Sequence, residues 1–235
     1  MARPLFQLGA RLTACAGFVR PGAVMADIGT DHAYLPIWLL KSGRIPYAYA
    51  SDVKQMPLES AKRNAEKYQV GDRLCTVLGN GLENISDDRV TDVVVAGMGG
   101  ALIADILQAA PFVRHQKIRL ILQPMKDDPQ LRLWLFENGF VIEEEKPVFD
   151  AGKVYTVICA TFSAVDQPEP DVLDPYMGRL PKDSDSKRYA EKVVRILAKE
   201  AAGAEKTGDM DRAKATAETI RKIRLRYIKE EVCPE

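Results

Sequence analysis

Residues 24–36 read Val-Met-Ala-Asp-Ile-Gly-Thr-Asp-His-Ala-Tyr-Leu-Pro, and this stretch decides the fold. An apolar run ends in Asp27-Ile28-Gly29 and passes through a short polar turn into an amphipathic segment. A strand, a tight turn and a helix in that order open a nucleotide-cofactor domain, where glycine lets the backbone come close to a ligand. A dinucleotide fingerprint sets three glycines in the turn as G-x-G-x-x-G, so that a pyrophosphate can lie on bare backbone at a helix N-terminus. Here the turn is Gly29-Thr30-Asp31-His32-Ala33. A carboxylate in the phosphate position repels phosphate, so Asp31 argues against such a ligand and for one with a positive centre.

Outward from this unit, strand patterns at 23–28, 47–51, 74–78, 92–96 and 118–123 alternate with helix patterns at 33–42, 56–68, 100–110 and 129–138. Such alternation predicts parallel strands joined by right-handed crossovers, a doubly wound α/β sheet. After Gly139 the period changes: 140–149 and 154–162 are strand-like runs around Asp150-Ala151-Gly152-Lys153, a hairpin signal. Five parallel strands closed by an antiparallel hairpin make the Rossmann-like sheet of a class I methyltransferase rather than the all-parallel six strands of a dehydrogenase half. S-adenosylmethionine, with its sulfonium and amino group, is a ligand with the required positive centre.

The expected domain therefore covers residues 1–164. Residues 165–182, with Pro168, Pro170, Pro175 and Pro181 among acids, read as a proline-rich linker. From 183 to 235 the pattern is helical. Ser184 or Asp185 is expected to cap a helix with the stripe Tyr189, Val193, Ile196 and Leu197, and Thr207-Gly208-Asp209 to end it and cap a second with Ala213, Ala217, Ile220, Ile223 and Tyr227 on one side. The two form an antiparallel, coiled-coil-like hairpin.

Composition narrows the rest. With 46% apolar and 28% charged residues over 235, and no apolar run near the ~20 residues of a membrane span, the reading is a cytoplasmic globular protein without a membrane partner. The four cysteines, 15, 75, 159 and 233, form no C-x-x-C pair and read as buried reduced thiols, and with only His32 and His115 no metal site is expected. No obligate protein partner is evident. Net charge is zero but uneven: between 212 and 229, seven basic residues (Arg212, Lys214, Arg221, Lys222, Arg224, Arg226 and Lys229) face Glu218 alone, and the N-terminal segment adds Arg3, Arg11 and Arg20. Basic ends of this kind suit RNA phosphates, with a solvated surface as the alternative.

The run Ala26-Asp27-Ile28-Gly29-Thr30-Asp31-His32-Ala33-Tyr34-Leu35-Pro36, then Ala96-Gly97-Met98-Gly99-Gly100, then Leu122-Gln123-Pro124, together with Arg11-Leu12, resembles the bacterial tRNA (adenine-22-N1)-methyltransferase family over essentially the whole chain. The resemblance implies an S-adenosylmethionine-dependent enzyme that methylates N1 of the adenine at tRNA position 22. It departs from the family pattern twice: Asp52-Val53 stands where that pattern has glutamate-valine, and Asn80 stands where it has aspartate between Gly79 and Gly81. The amide gives up the charge-assisted part of a hydrogen bond, roughly 1 kcal/mol or less.

Residue by residue, Asp52 at the end of the second strand suits both ribose hydroxyls of an adenosine, or is a surface acid opening a loop. Asp27 faces the methionine amino group, caps the first helix, or does both. Gly79 and Gly81 permit a flat approach to adenine with Asn80 beside its amine, or form a plain turn. Arg11, Gly29, Thr30, Val53 and Gly97 complete the expected cofactor set. The Ala96–Gly100 motif offers backbone and free space, where amino-directed enzymes place polar acceptors and an aromatic ring. The ring nitrogen N1 needs less help, since it carries its own lone pair and must chiefly be aligned. Methylation leaves the adenine cationic, and Asp31 is the carboxylate expected to meet that charge. His32 and Tyr34 shape the pocket or stack on the base, His32 having helix capping as its alternative. Met98, Gln123 and Pro124 are expected on the substrate side, with strand termination as the alternative for Pro124, and Arg221, Arg224 and Arg226 on the RNA. Two readings from other classes stay open on the residues alone: a nicotinamide-dependent oxidoreductase, disfavoured by Asp31 and the hairpin, and a non-catalytic RNA-binding protein on a methyltransferase scaffold, disfavoured by the retained acids and glycine turns.

Overall fold

A strand covered on both faces needs apolar side chains at every position, and Val93-Val94-Val95 and Leu120-Ile121-Leu122 supply them. The computed structural model describes residues 4–85, 88–163, 165 and 169–228. In it these runs form the middle of a sheet whose parallel strands are β1 (Val24–Ile28), β2 (Tyr47–Asp52), β3 (Leu74–Leu78), β4 (Val90–Gly99) and β5 (Arg119–Lys126), closed by the antiparallel pair β6 (Phe140–Asp150) and β7 (Lys153–Phe162). The strand order is β3-β2-β1-β4-β5-β7-β6. Ala151 and Gly152, both at positive φ, make the β6–β7 turn that the right-handed strand twist favours.

Side chains alternate between two cores. Met25, Val94, Ile121 and Val157 face α1 (Ala10–Phe18), α2 (Tyr34–Lys41) and α3 (Gln55–Lys67), while Ala26, Val95, Leu122 and Ile158 face α4 (Gly100–Gln108) and α5 (Asp128–Glu137). Pro36 fits α2 because it stands in the first turn, where its missing N–H has no partner to lose. Helix α1 lies against β5, β6 and β7. The N-terminal arginines do not form a basic end: Arg11 donates to Asp150 at 2.7 Å, and Arg20 donates to the fully buried Asp92 at 2.9 Å, while Arg3 lies outside the described residues. Both charges are spent on fixing the helix and the loop after it to the sheet. Cys15 and Cys159 are buried and Cys75 half-buried, all reduced; Cys233 lies outside the described residues.

A third core holds the C-terminal part. Leu173, Met177 and Leu180, within and beside the short α6 (Asp174–Met177), pack with Tyr189, Val193 and Leu197 of α7 (Ser184–Lys206), Ile223 of α8 (Met210–Ile223) and Val154 of β7. Residues 173–180 thus lie packed between the sheet and the helical hairpin, at the three-to-four residue spacing of a helix face. Residues 164, 166–168 and 229–235, including Pro168 and Lys229, lie outside the described residues. The cap of α7 is Asp183, not Ser184 or Asp185: its backbone is extended, and its carboxylate accepts the Ser186 N–H at 2.7 Å. Asp209 caps α8 by accepting from the Arg212 N–H. The stripes also differ from expectation. Ile196 is exposed, and Ala217 faces solvent while Thr219 takes a buried place, its hydroxyl satisfied by the Ala215 carbonyl at 3.0 Å.

Buried charge locks this core to the sheet. Arg132 of α5 donates to Glu145 of β6 at 2.8 Å and to the Pro175 carbonyl and Tyr189 hydroxyl, and that hydroxyl donates to Asp128 at 2.8 Å. Burial works against the Arg132 charge, but Glu145, Tyr189 and Asp128 hold it protonated. Gly178 is obligatory here: at φ +50 it lies so close that a Cβ would stand 1.6 Å from a Glu145 carboxylate oxygen. Among the described residues no helix is long and apolar enough to cross a membrane, and no cluster of metal-ligating side chains occurs.

Candidate functional site

The sheet order reverses between β1 and β4, so the connections leaving these strands diverge and open a crevice at their carboxyl ends. Its floor is β1. Thr30 donates to the Asp27 carboxylate at 2.6 Å, and burial pushes that carboxyl up to about 7, with the hydroxyl contact pulling the other way. The Gly29 and Thr30 N–H groups donate to the Ser51 carbonyl at 2.9 and 3.0 Å, which ties the turn to β2. Asp31 and Ala33 are held in the left-handed region at φ 52° and 56°, an uncommon state for residues with a Cβ and a sign of a shaped turn. The Asp31 N–H points at the Asp52 carboxylate at 3.4 Å, and the Lys54 N–H donates to its other oxygen at 2.9 Å, so Asp52 is fixed at the rim.

The wall opposite is the Ala96–Gly100 motif. Pairing of β4 with β5 slips at Ala96/Met98, and Gly97 sits at φ +80° with nothing within 4 Å of where a Cβ would lie. Gly97 therefore presents bare backbone to open space. Gln123 causes this: fully buried, it accepts the Gly97 N–H at 3.1 Å and an Arg11 N–H at 3.2 Å, and donates to the Pro124 carbonyl. Gly29 is glycine for a different reason, since a Cβ there would stand 2.1 Å from the Met98 methyl.

Gly29, Asp31, Asp52, Val53, Gly79, Asn80, Gly81, Gly97 and Met98 line one cleft of about 400 Å³. Of the other expected residues, Asp27 and Thr30 lie buried beneath it, whereas Arg11 stands behind Gln123 on the β6 side. Gln123 and Pro124, expected on the substrate side, are buried and stand behind the cleft wall rather than open onto the cleft. His32 and Tyr34 do not line the cleft: their rings meet at 5.5 Å, and Tyr34 packs edge-on against Phe6. Arg221 is bound bidentately to Glu218, and Arg224 and Arg226 lie on the π-helical turn that continues α8. The sequence reading passed over Leu102 and Ile106, which line the cleft from α4; Leu102 is 49% exposed. An apolar residue in the helical turn after Gly99-Gly100 was the available signal, because the start of that helix faces the crevice. With Val53 at 61% exposure, these side chains give the cleft apolar walls for a planar ring between carboxylates at its rim.

Comparison with known proteins agrees with this fold. A model of the methyltransferase domain matches residues 8–158. The chain is 39% identical to the tRNA (adenine(22)-N(1))-methyltransferase of Bacillus subtilis (strain 168) over 154 residues, 66% of this chain and 65% of that enzyme, so the match spans just under two thirds of the relative's length. It superimposes with a TM-score of 0.72 and 32% identity on a Streptococcus pneumoniae protein ascribed to the tRNA (m1A22) methyltransferases and solved with S-adenosyl-L-methionine, covering 89% of this chain and 98% of that one. A similar fit, TM-score 0.77 and 27% identity over 94% and 100% of the two chains, is found with the M. capricolum TrmK solved with S-adenosyl-homocysteine.

Proposed function

Given that the chain belongs to the family of the tRNA (adenine(22)-N(1))-methyltransferases, we propose that it binds S-adenosylmethionine in the cleft at the ends of β1, β2, β3 and β4 and methylates N1 of adenine 22 in tRNA. Asp27 carries this reading. A carboxyl buried at a strand tip, held by one hydroxyl and lifted to about 7, suits a cationic amino group that completes its pairing. The bare backbone at Gly97 and the apolar faces of Val53 and Leu102 suit the rest of the cofactor. Asp52 suits the ribose hydroxyls and the turn at Gly79-Asn80-Gly81 the adenine edge. When bound, the cofactor supplies an electrophilic methyl carbon on a sulfonium.

The chain's own residues then have three tasks. Gln123, by holding Gly97, keeps the acceptor side open for a base brought up edge-on. The apolar walls exclude water. Asp31, whose side chain is 70% exposed at the cleft, meets the positive charge that appears on adenine as N1 is alkylated. The same carboxylate in the turn makes a pyrophosphate unwelcome, which separates this site from a nicotinamide cofactor.

Calorimetry with S-adenosylhomocysteine and with NAD, followed by methyl transfer to a tRNA transcript and nucleoside mass spectrometry, tests the proposal. The expected result is homocysteine-nucleoside binding without NAD binding, and 1-methyladenosine that disappears when adenine 22 is replaced. Cofactor binding with no methyl transfer to RNA would instead favour a non-catalytic scaffold.

A further inference from the structure

Beside the cleft, a second groove of about 610 Å³ runs between the β6–β7 turn and the first half of α7. On α7 its wall is Arg188, Lys192 and Arg195, at the spacing that puts side chains on one helix face, with Glu191 among them. On the hairpin its wall is Phe149, Lys153 and Tyr155. Four cations thus line the groove against one acid. Lys192 is partly committed, lying 3.6 Å from Asp128 and over the Tyr155 and Tyr189 rings, and Arg188 reaches Asp185 at 3.2 Å. Lys153 and Arg195 are exposed, and no carboxylate pairs with either among the described contacts. Phe149 is 47% exposed, with the Arg188 guanidinium 5.0 Å above its ring. An exposed aromatic face with cations around it is the arrangement that stacks an unpaired base and tracks its phosphates.

The groove is tied to the back of the cleft wall through Met125. Met125 lines it, and the Met125 sulfur lies 3.1 Å from an Arg11 nitrogen and 3.8 Å from the Gln123 amide, the group that holds Gly97. By contrast, on the α8 face that the sequence singled out, Arg221 is paired with Glu218. We infer that the groove between the β6–β7 turn and α7 is the path by which the RNA strand reaches the cleft, with Lys153 and Arg195 on phosphates and Phe149 under a base. This rests on the proposed RNA substrate and assigns it a surface.

The test compares the full-length protein with Lys153→Ala/Arg195→Ala and, separately, Phe149→Ala, using a tRNA transcript bearing adenine 22. RNA affinity is measured from 50 to 300 mM salt, alongside KM for RNA and affinity for S-adenosylhomocysteine. The double variant should lower the slope of log K against log salt by roughly 1.4–1.8, since each lost phosphate contact removes about 0.7–0.9. KM for RNA should rise while S-adenosylhomocysteine affinity stays within twofold. Phe149→Ala should weaken RNA binding about tenfold at an unchanged slope, as loss of stacking without loss of charge. An unchanged slope in the double variant, with methylation intact, overturns the groove and leaves the RNA reading standing. A parent that neither binds nor methylates RNA overturns that reading, and the groove with it. Phe149→Ala removes a half-exposed ring near the end of β6 and no charge, so it decides the matter should the double variant lose its fold.

Discussion

Replacing Asp27 by asparagine should make the protein's stability less dependent on pH, and the size of the change follows from burial. The carboxyl is lifted from 3.8 to about 7 because its surroundings disfavour the charge. Between those values the folded chain holds a proton that the unfolded chain has released, so the contribution of Asp27 to stability is greatest below pH 4, falls as pH rises, and levels off above pH 7. The full displacement amounts to about 4 kcal/mol, of which roughly 2–3 kcal/mol lies between pH 5 and pH 8. Asparagine keeps an acceptor for the Thr30 hydroxyl and cannot ionise, so its variant lacks this component. Urea unfolding of both proteins across that range, with all other titrating groups common to the pair, isolates it. The parent should lose roughly 2–3 kcal/mol relative to the variant; curves that run parallel from pH 5 to pH 8 would refute the account. If a cofactor ammonium lies against Asp27, binding S-adenosylhomocysteine near pH 6 should also release close to one proton, read from calorimetry in buffers of different ionisation enthalpy, and the variant should release none.

Asp52→Ala should weaken S-adenosylhomocysteine by roughly 1–3 kcal/mol through loss of the ribose contacts, and equal affinity would mean that Asp52 only closes the turn through the Asp31 and Lys54 N–H groups. Asp31→Asn keeps the side chain's shape but removes its charge, so turnover should fall by on the order of a hundredfold with cofactor affinity little changed; loss of both together would make Asp31 a cofactor ligand instead. Arg132→Met leaves Glu145 buried without its partner and should cost about 3–5 kcal/mol in urea unfolding, whereas a loss under about 1 kcal/mol would show that the pair is not needed to hold the helical hairpin to the sheet.

Much of the fold was legible because its signals are local. Strand and helix periods, the Gly29–Ala33 turn after β1 and the change of period after Gly139 are set by side-chain alternation and backbone preference within a few residues. They give the closing hairpin and the outer parallel strands to within a residue, while β4 and β5 run three residues past the expected ends, to Gly99 and Lys126. The cleft was legible for a related reason: in a doubly wound sheet the strand ends converge, so residues placed after consecutive strands must share one crevice. Asp31, Asp52, Gly79, Asn80, Gly81 and Gly97 meet there without any further information.

What the sequence left undecided are partnerships across large separations. Arg11 and Gln123 lie 112 residues apart and Arg132 and Tyr189 57 apart, and no local pattern says that one arginine braces a glycine turn while another is sealed into a core. Arg20 read as part of a basic end until Asp92 neutralised it, and Tyr34, read as shaping the pocket or stacking on the base, stands outside the cleft lining and edge-on to Phe6. A charge or an aromatic ring has no function of its own until packing sets what lies beside it. The sequence by itself determined which strands end at the site and which glycines bare the backbone there; only the tertiary structure decided which charges stay free to act.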